Sequence, residues 1–410
     1  MKFIALLLCL VLLLSAVGCQ KPSDNENQNS GISSEEGAQV ANPQTPAELF
    51  APERTVNKQG AVDSVDNLKN TYYKLVNEKK LEVAYLGGSV TNGAGGSNGY
   101  CWASATTEWL KTNFPNAQIS DTNAGWGGTG SYWGFHRMDD SVLSKNPDLV
   151  FLEYAINDAY AGYSRVEASL YMEGIVRKIR NTNPNCDIVI IFVTDNSGAK
   201  RLGTEYEQLL GHKDVAEHYG IPTINVGFAL VKEMERTGND WKYYVGDVVH
   251  PNNKGYKVYA DCIAGYMKNW LIDNPDKSGL SAHEMPDNDY VSNLSVESER
   301  IKAADITNVK DFQLLDAPST LVSHAGAQLF GLPGATMECE FVGRGIGMLV
   351  DATKYPVAKI TVDGVETIMH FKENFSEYCI YNNLNYGKHT IKVELISGGR
   401  MVFGGFLVAK

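Results

Sequence analysis

From residue 82 the chain alternates two patterns of apolar and polar positions. Short apolar runs rich in β-branched and aromatic residues, EVAYLGG, AQISDTNAG, DLVFLEYA, DIVIIFVT and PTINVG, read as strands. The longer stretches between them are amphipathic and predict helices at Gly99 to Asn113, Ser131 to Lys145, Arg165 to Thr182, Glu205 to Tyr219, Ala229 to Arg236 and Lys254 to about Ile272. Strands and helices in alternation build a parallel sheet covered on both faces, so this part is expected to be a three-layer α/β domain of about 200 residues. After Asp273 the pattern changes. NPDKSGLSAHEMPDNDY is polar and rich in chain breakers, as a linker is. Beyond it, ATMECEFVGRGIGMLVD, AKITVDGVETIMHF and KHTIKVELISGGRMVFGGFLV each read as two strands around a turn, with Asp363-Gly364 the sharpest hairpin signal and Gly398-Gly399 the next. They predict a small antiparallel β-sandwich.

The N-terminus has a third texture. Lys2 precedes an apolar stretch from Phe3 to Ala16, shorter than the roughly 18 residues of a spanning helix, which marks a secretory signal. Ala16-Val17-Gly18-Cys19 resembles a bacterial lipobox, which implies lipidation of Cys19 and a surface protein held to the membrane. Gln20 to Thr45 is rich in Asn, Ser, Gln and Glu and has too little apolar surface to bury, so it reads as a disordered tether. The expected organisation is signal 1–19, tether 20–45, α/β domain 46–273, linker 274–290 and β-sandwich 291–410.

Composition narrows the classes. With 410 residues, 43% hydrophobic and 10% aromatic, the chain can bury a substantial core. The net charge of −12 and the absence of basic runs argue against a nucleic-acid surface. Beyond Cys9 in the signal and Cys19, five cysteines remain (Cys101, Cys186, Cys262, Cys339 and Cys379), with no CxxC and no metal-ligand spacing. Export permits a disulfide, for which Cys339 and Cys379 are the candidate pair; buried free thiols are the alternative.

Chemistry concentrates in the loops that follow the predicted strands. Ser89 stands directly after the first strand behind Gly87-Gly88, at the edge where open α/β sheets bind ligands. The run lacks the lysine of a phosphate loop, and Thr91 replaces the second glycine of a GxSxG elbow. A serine hydroxyl needs a base, and only His250 among eight histidines has suitable surroundings, with Asp247 three residues earlier in YYVGDVVHPNNKGYKVYAD. Oxyanion donors are available in NAGWGGTGS, residues 123–131, and at Asn157 in EYAINDAY. A competing reading takes Gly125, Gly127 and Gly130 as a dinucleotide-binding GxGxxG with Glu153 as the ribose acid, but it leaves Ser89, Asn157, Asp247 and His250 without a role. His212 and His218, six apart on a helix, point to different faces and read as solvated or half-buried histidines. Trp102, Trp126, Tyr132 and Trp133 lie near the active loops, either as platforms for sugar rings or as packing beneath them.

GGS at 87–89, the glycines of 123–130, IND at 156–158 and DVVHPNNKGY at 247–256 together resemble the four blocks of the SGNH hydrolases, also called GDSL esterases, over about residues 82–272. The resemblance implies a flavodoxin-like α/β/α fold without metal or cofactor. It implies Ser89 as nucleophile, His250 as base and then acid, Asp247 as its orienting carboxylate, and Ser89, Gly128 and Asn157 as oxyanion donors. Gly88 departs from the family's Asp, and Ala155 from its Gly. The C-terminal domain is similar to the jelly-roll-like domain of acetyl-xylan-type carbohydrate esterases. The expected activity is therefore removal of O-acetyl groups from a poly- or oligosaccharide; acyl transfer by the same residues and a non-catalytic glycan-binding lipoprotein are the alternatives.

Overall fold

The structure, a computed structural model, describes residues 46–63, 65–200, 206–315 and 326–410. The signal, Cys19, the tether and Glu205 lie outside the described residues.

Five parallel strands, β1 (Lys80–Gly87), β2 (Gln118–Gly125), β3 (Leu149–Glu153), β4 (Asp187–Phe192) and β5 (Thr223–Asn225), lie in the order β2-β1-β3-β4-β5. Every residue of β3 and β4 is buried, which is why these strands read as unbroken apolar runs. Alternate residues feed two cores. Leu81, Val83, Tyr85, Phe151 and Val189 meet the helices Trp102–Asn113, Val226–Thr237 and Asn253–Lys268. Ala84, Leu86, Val150, Leu152 and Ile190 meet Ser131–Ser141, Arg165–Thr182 and Glu207–His218 on the other face. This is the three-layer α/β architecture, and its order reverses between β1 and β3, the point where such sheets leave a crevice for a ligand.

Nine antiparallel strands follow: β6 (Ser298–Lys302), β7 (Asn308–Leu315), β8 (Gln328–Gly343), β9 (Gly345–Ala352), β10 (Val357–Val362), β11 (Val365–His370), β12 (Asn374–Tyr381), β13 (Gly387–Ser397) and β14 (Met401–Ala409). They run β11-β10-β13-β8-β14-β9-β12, with β6 on β14 and β7 on β8, and enclose one apolar core that includes Met337, Met348, Ile360, Val393 and Phe403. The result is an antiparallel β-sandwich. Asp363 and Gly364 both have positive φ, 47° and 83°, as the tight hairpin signalled by that pair requires. β6, β7 and β12 are additions to the sequence reading. NFSEYCIY, the whole of β12, is partly exposed at nearly every position and so lacks the in-out alternation that marks a strand.

The two sheets are not held apart. Leu349, Val402 and Leu407 of the β-sandwich enter the same apolar cluster as Trp133, Met172 and Ile175. Residues 46–56, expected at the start of the α/β domain, belong partly to the other one. Leu49 is in the β-sandwich core, Phe50 bridges to Leu384, and the Arg54 guanidinium donates to the carbonyls of Ser292, Asn293 and Asn382. The stretch 274–290 is irregular, as its breakers dictate, yet it is a strap fastened to the α/β domain. Its His283 places Nδ1 2.9 Å from Asp66 and Nε2 2.9 Å from Asp187.

Cys339 and Cys379 do not form the candidate disulfide: both are free. They stand on β8 and β12, which β14 and β9 separate in the sheet. Cys379 instead accepts a hydrogen bond from the Tyr171 hydroxyl at 3.4 Å, across the boundary between the domains.

Candidate active site

β1 delivers the chain to the crevice, and Gly88 turns it into the short helix Ser89–Asn92. A Cβ on Gly88 would lie 2.7 Å from Asn157 Oδ1, so the side chain of Asn157 occupies the space that the family's aspartate would need. Ser89 Oγ is 2.8 Å from His250 Nε2, and His250 Nδ1 is 2.7 Å from Asp247 Oδ2. Asp247 Oδ1 also accepts from the Val249 and His250 amides, both at 2.8 Å. Its slight burial disfavours ionisation, but the hydrogen bonds from the His250 amide, the imidazole and the Val249 amide outweigh that and pull the carboxyl down to about 2. An ionised Asp247 requires a proton on Nδ1, which leaves the Nε2 lone pair for the serine hydroxyl. The loop carrying both residues is fixed by the Trp241 indole, which donates to the Asp247 carbonyl at 2.7 Å, and by the bridge between Val245 and Pro251.

The glycine loop after β2 is stitched to this turn. Asn123 Nδ2 donates to the Thr91 carbonyl at 2.8 Å, Asn92 Nδ2 to the Gly125 carbonyl at 3.0 Å, and the Trp126 amide to the Gly87 carbonyl at 2.9 Å. Buried Arg137 gathers the strand ends from beneath, donating to the carbonyls of Gly87 and Ala124 and to the Tyr154 hydroxyl. Gly128 holds the left-handed φ of 75° and, with Asn157, lines a groove of about 580 Å³. Gly127 lies nearer the serine, its ideal Cβ position 3.5 Å from Ser89 Cβ. Ser89, His250 and Asp247 thus stand in hydrogen-bonded series, Asn157 packs against Gly88 beside them, and Gly128 shares the groove with Asn157. Tyr256, from the HPNNKGY block, ties the nucleophile turn to the last helix by donating to the carbonyls of Val90 and Ala94.

Under the turn lies a buried carboxyl. Glu153 ends β3 fully buried and accepts from Thr91 Oγ1 at 2.9 Å; among the described residues its other oxygen has no hydrogen-bond partner. Burial pushes it up to about 8 from an ordinary value of 4.5. An interior acid against Thr91 is not placed to hold a ribose, which removes the support for a dinucleotide site. The folded protein therefore binds one proton more than the unfolded chain between about pH 4.5 and 8, and loses stability as pH rises through that interval. Glu153→Gln is expected to melt close to the native protein at pH 5 and to be more stable by on the order of 2 kcal/mol at pH 9. Parallel melting curves across that range would show that Glu153 is ionised in the fold.

Several candidates belong elsewhere. Trp102, Tyr132 and Trp133 are buried packing, and Trp126 lines a groove beside Gly125 and Gly127 whose floor includes Trp133. His212 and His218 are more buried than their helical spacing suggested: His212 meets buried Asp158 at 2.9 Å, and His218 meets the Asn288 carbonyl at 2.8 Å. Among the described residues one cluster has metal-ligand types, Asp66, Asp187 and His283. It stands at the opposite end of the sheet, where β4 begins, and its imidazole already bridges both carboxylates. Sequence reasoning missed Arg137, Asp158 as an anchor, and the residues of β12 that close the groove.

A serine, an imidazole and a carboxylate in hydrogen-bonded series at the carboxyl edge of a β2-β1-β3-β4-β5 sheet are the arrangement of an α/β serine hydrolase. Residues 85–258, within the α/β domain, match the GDSL-like lipase/acylhydrolase family. The protein is a carboxylic ester hydrolase. The whole two-domain chain is similar to the crystal structure of a two-domain esterase (CEX) active on acetylated mannans, at 22% identity and a TM-score of 0.73, covering 87% of this chain and 99% of that one. The same esterase co-crystallized with mannopentaose gives 21% identity and a TM-score of 0.72 over 87% and 98% of the two chains. No curated protein matches the sequence.

Proposed function

We propose that the protein removes O-acetyl groups from a carbohydrate through an acyl-enzyme on Ser89. The observation that carries the reading is the 2.8 Å contact of Ser89 Oγ with His250 Nε2, backed by the 2.7 Å contact of Nδ1 with Asp247. His250 takes the hydroxyl proton as Oγ bonds to the acetyl carbonyl carbon, and negative charge moves to the carbonyl oxygen. The amides of Ser89 and Gly128 and the side chain of Asn157 are the assigned donors to that oxygen. Collapse breaks the ester bond, and the sugar oxygen leaves with the proton from His250. Water, deprotonated by the same imidazole, then attacks the acetyl-enzyme, releases acetate and returns the proton to Ser89.

A carbohydrate substrate is supported by the open groove beside Gly128 and Asn157, lined by Tyr160, Tyr163 and Tyr378, and by the two-domain likeness to an esterase of acetylated mannans. Acetylated mannan is thus the first polymer to test. Acetate release from it, or from another acetylated glycan, by the native protein and not by Ser89→Ala is the expected result. Hydrolysis of p-nitrophenyl acetate without acetate release from any acetylated glycan would remove the carbohydrate from the reading.

We further propose that Cys19 carries a lipid that holds the enzyme to the outer face of a membrane. The lipobox-like Ala16-Val17-Gly18-Cys19 motivates this, and among the described residues no helix is long and apolar enough to span a bilayer. Cys19→Ala is expected to move the protein from the membrane fraction to the soluble one; an unchanged distribution counts against lipidation.

A further inference from the structure

The first turn of the helix Ser131–Ser141, which follows the glycine loop, receives carboxylates from both domains. The Ser131 amide donates to Asp158 Oδ1 at 2.7 Å and its hydroxyl to Asp158 Oδ2 at 2.7 Å. The Gly130 amide donates to Glu377 Oε1 at 2.8 Å, and Glu377 comes from β12 of the β-sandwich. Acceptors at these positions satisfy amides that have no partner inside the helix, and negative charge is favoured there. Two residues earlier on β12, Phe375 stacks on Trp126, at the other end of the same loop, with ring centres 5.9 Å apart and planes 16° from parallel. Residues two apart on a strand share a face, so one face of β12 grips both ends of Trp126–Gly130. Gly128 lies between these two anchors and has no intrinsic rigidity at its left-handed φ.

We infer that Glu377 is a positioning residue for the oxyanion loop, so that the β-sandwich completes the active site of the proposed esterase. This rests on the assignment of Gly128 as a donor. The charged and titratable groups facing Glu377 are Asp158 and Arg137 from the α/β domain, with the hydroxyls of Tyr132, Tyr163 and Tyr378 around it. Burial pushes its carboxyl up to about 7, helped by Asp158, while the Gly130 amide and Arg137 pull in the other direction. An ionised carboxylate accepts from Gly130 more strongly than a neutral acid does. The grip on the loop therefore tightens as pH rises through neutrality.

The test compares the full chain with its Glu377→Ala, Glu377→Gln and Ser89→Ala variants on p-nitrophenyl acetate, with kcat and KM followed from pH 5.5 to 9 and melting temperatures measured alongside. Glu377→Ala is expected to lower kcat about 10- to 100-fold, with KM within about 3-fold of native. Glu377→Gln, which keeps a neutral acceptor, is expected to recover most of kcat and to lose the component of the native pH profile that titrates near 7. An unchanged kcat in Glu377→Ala, a change confined to KM, or a Gln variant with the native pH profile would each overturn the inference. If Ser89→Ala still turns over, the serine esterase itself is wrong. If it does not, a Glu377→Ala variant with native kcat counts against the positioning role alone.

Discussion

Ser89→Ala is expected to hydrolyse p-nitrophenyl acetate at least about 10,000-fold more slowly than the native protein while melting at the same temperature. The substitution removes the one oxygen that His250 Nε2 approaches at 2.8 Å and leaves the Asp247 to His250 contact in place. Ser89 heads a short helix above two apolar cores whose members do not include it, so the loss falls on the chemistry and not on the fold. What remains should reflect binding and oxyanion donors alone, which is why the expected residual rate is small and not zero. Activity within tenfold of native would mean that another group attacks the ester.

Asp247→Asn carries the second large effect, a fall in kcat of about 100- to 10,000-fold. The amide oxygen of asparagine can still accept from the Val249 and His250 backbone, so the loop keeps its shape. Its NH2 group then faces His250 Nδ1, which must accept, and the imidazole proton moves to Nε2 and faces Ser89. Two donors opposed across that contact cannot deprotonate the hydroxyl. With the Asp247 side chain 52% exposed, stability should hardly change. Near-native kcat in this variant would mean that Asp247 does not set the tautomer.

The α/β domain was legible because its central strands are buried on both faces and announce themselves as unbroken apolar runs, as in DIVIIFVT. The site was legible where its chemistry follows a strand end directly: Ser89 after β1, Asn157 after β3. His250 was found through Asp247, three residues away, and through the DVVHPNNKGY block that contains both. Glu377 was not legible, and the reason is physical. It reaches Gly130 from 247 residues away, along a strand whose half-exposed pattern hides the strand itself. Arg137 lay unmarked inside an ordinary helix, since nothing local records that three carbonyl and hydroxyl acceptors from β1, β2 and the end of β3 converge on it. The contribution of one domain to another domain's loop is a property of packing, and single-chain periodicity does not encode it.

The seating of residues 46–56 also bears on how the molecule is made. Arg54 grips the carbonyl of Asn382, 328 residues further along, and Phe50 pairs with Leu384. This segment therefore waits, unclasped, until most of the β-sandwich has been synthesised. A chain that ends before Asn382 has neither of these partners for the segment, and the full one buries Leu49. Susceptibility to cleavage near Arg54 is in that sense a completion mark, one that separates mature enzyme from chains still in transit.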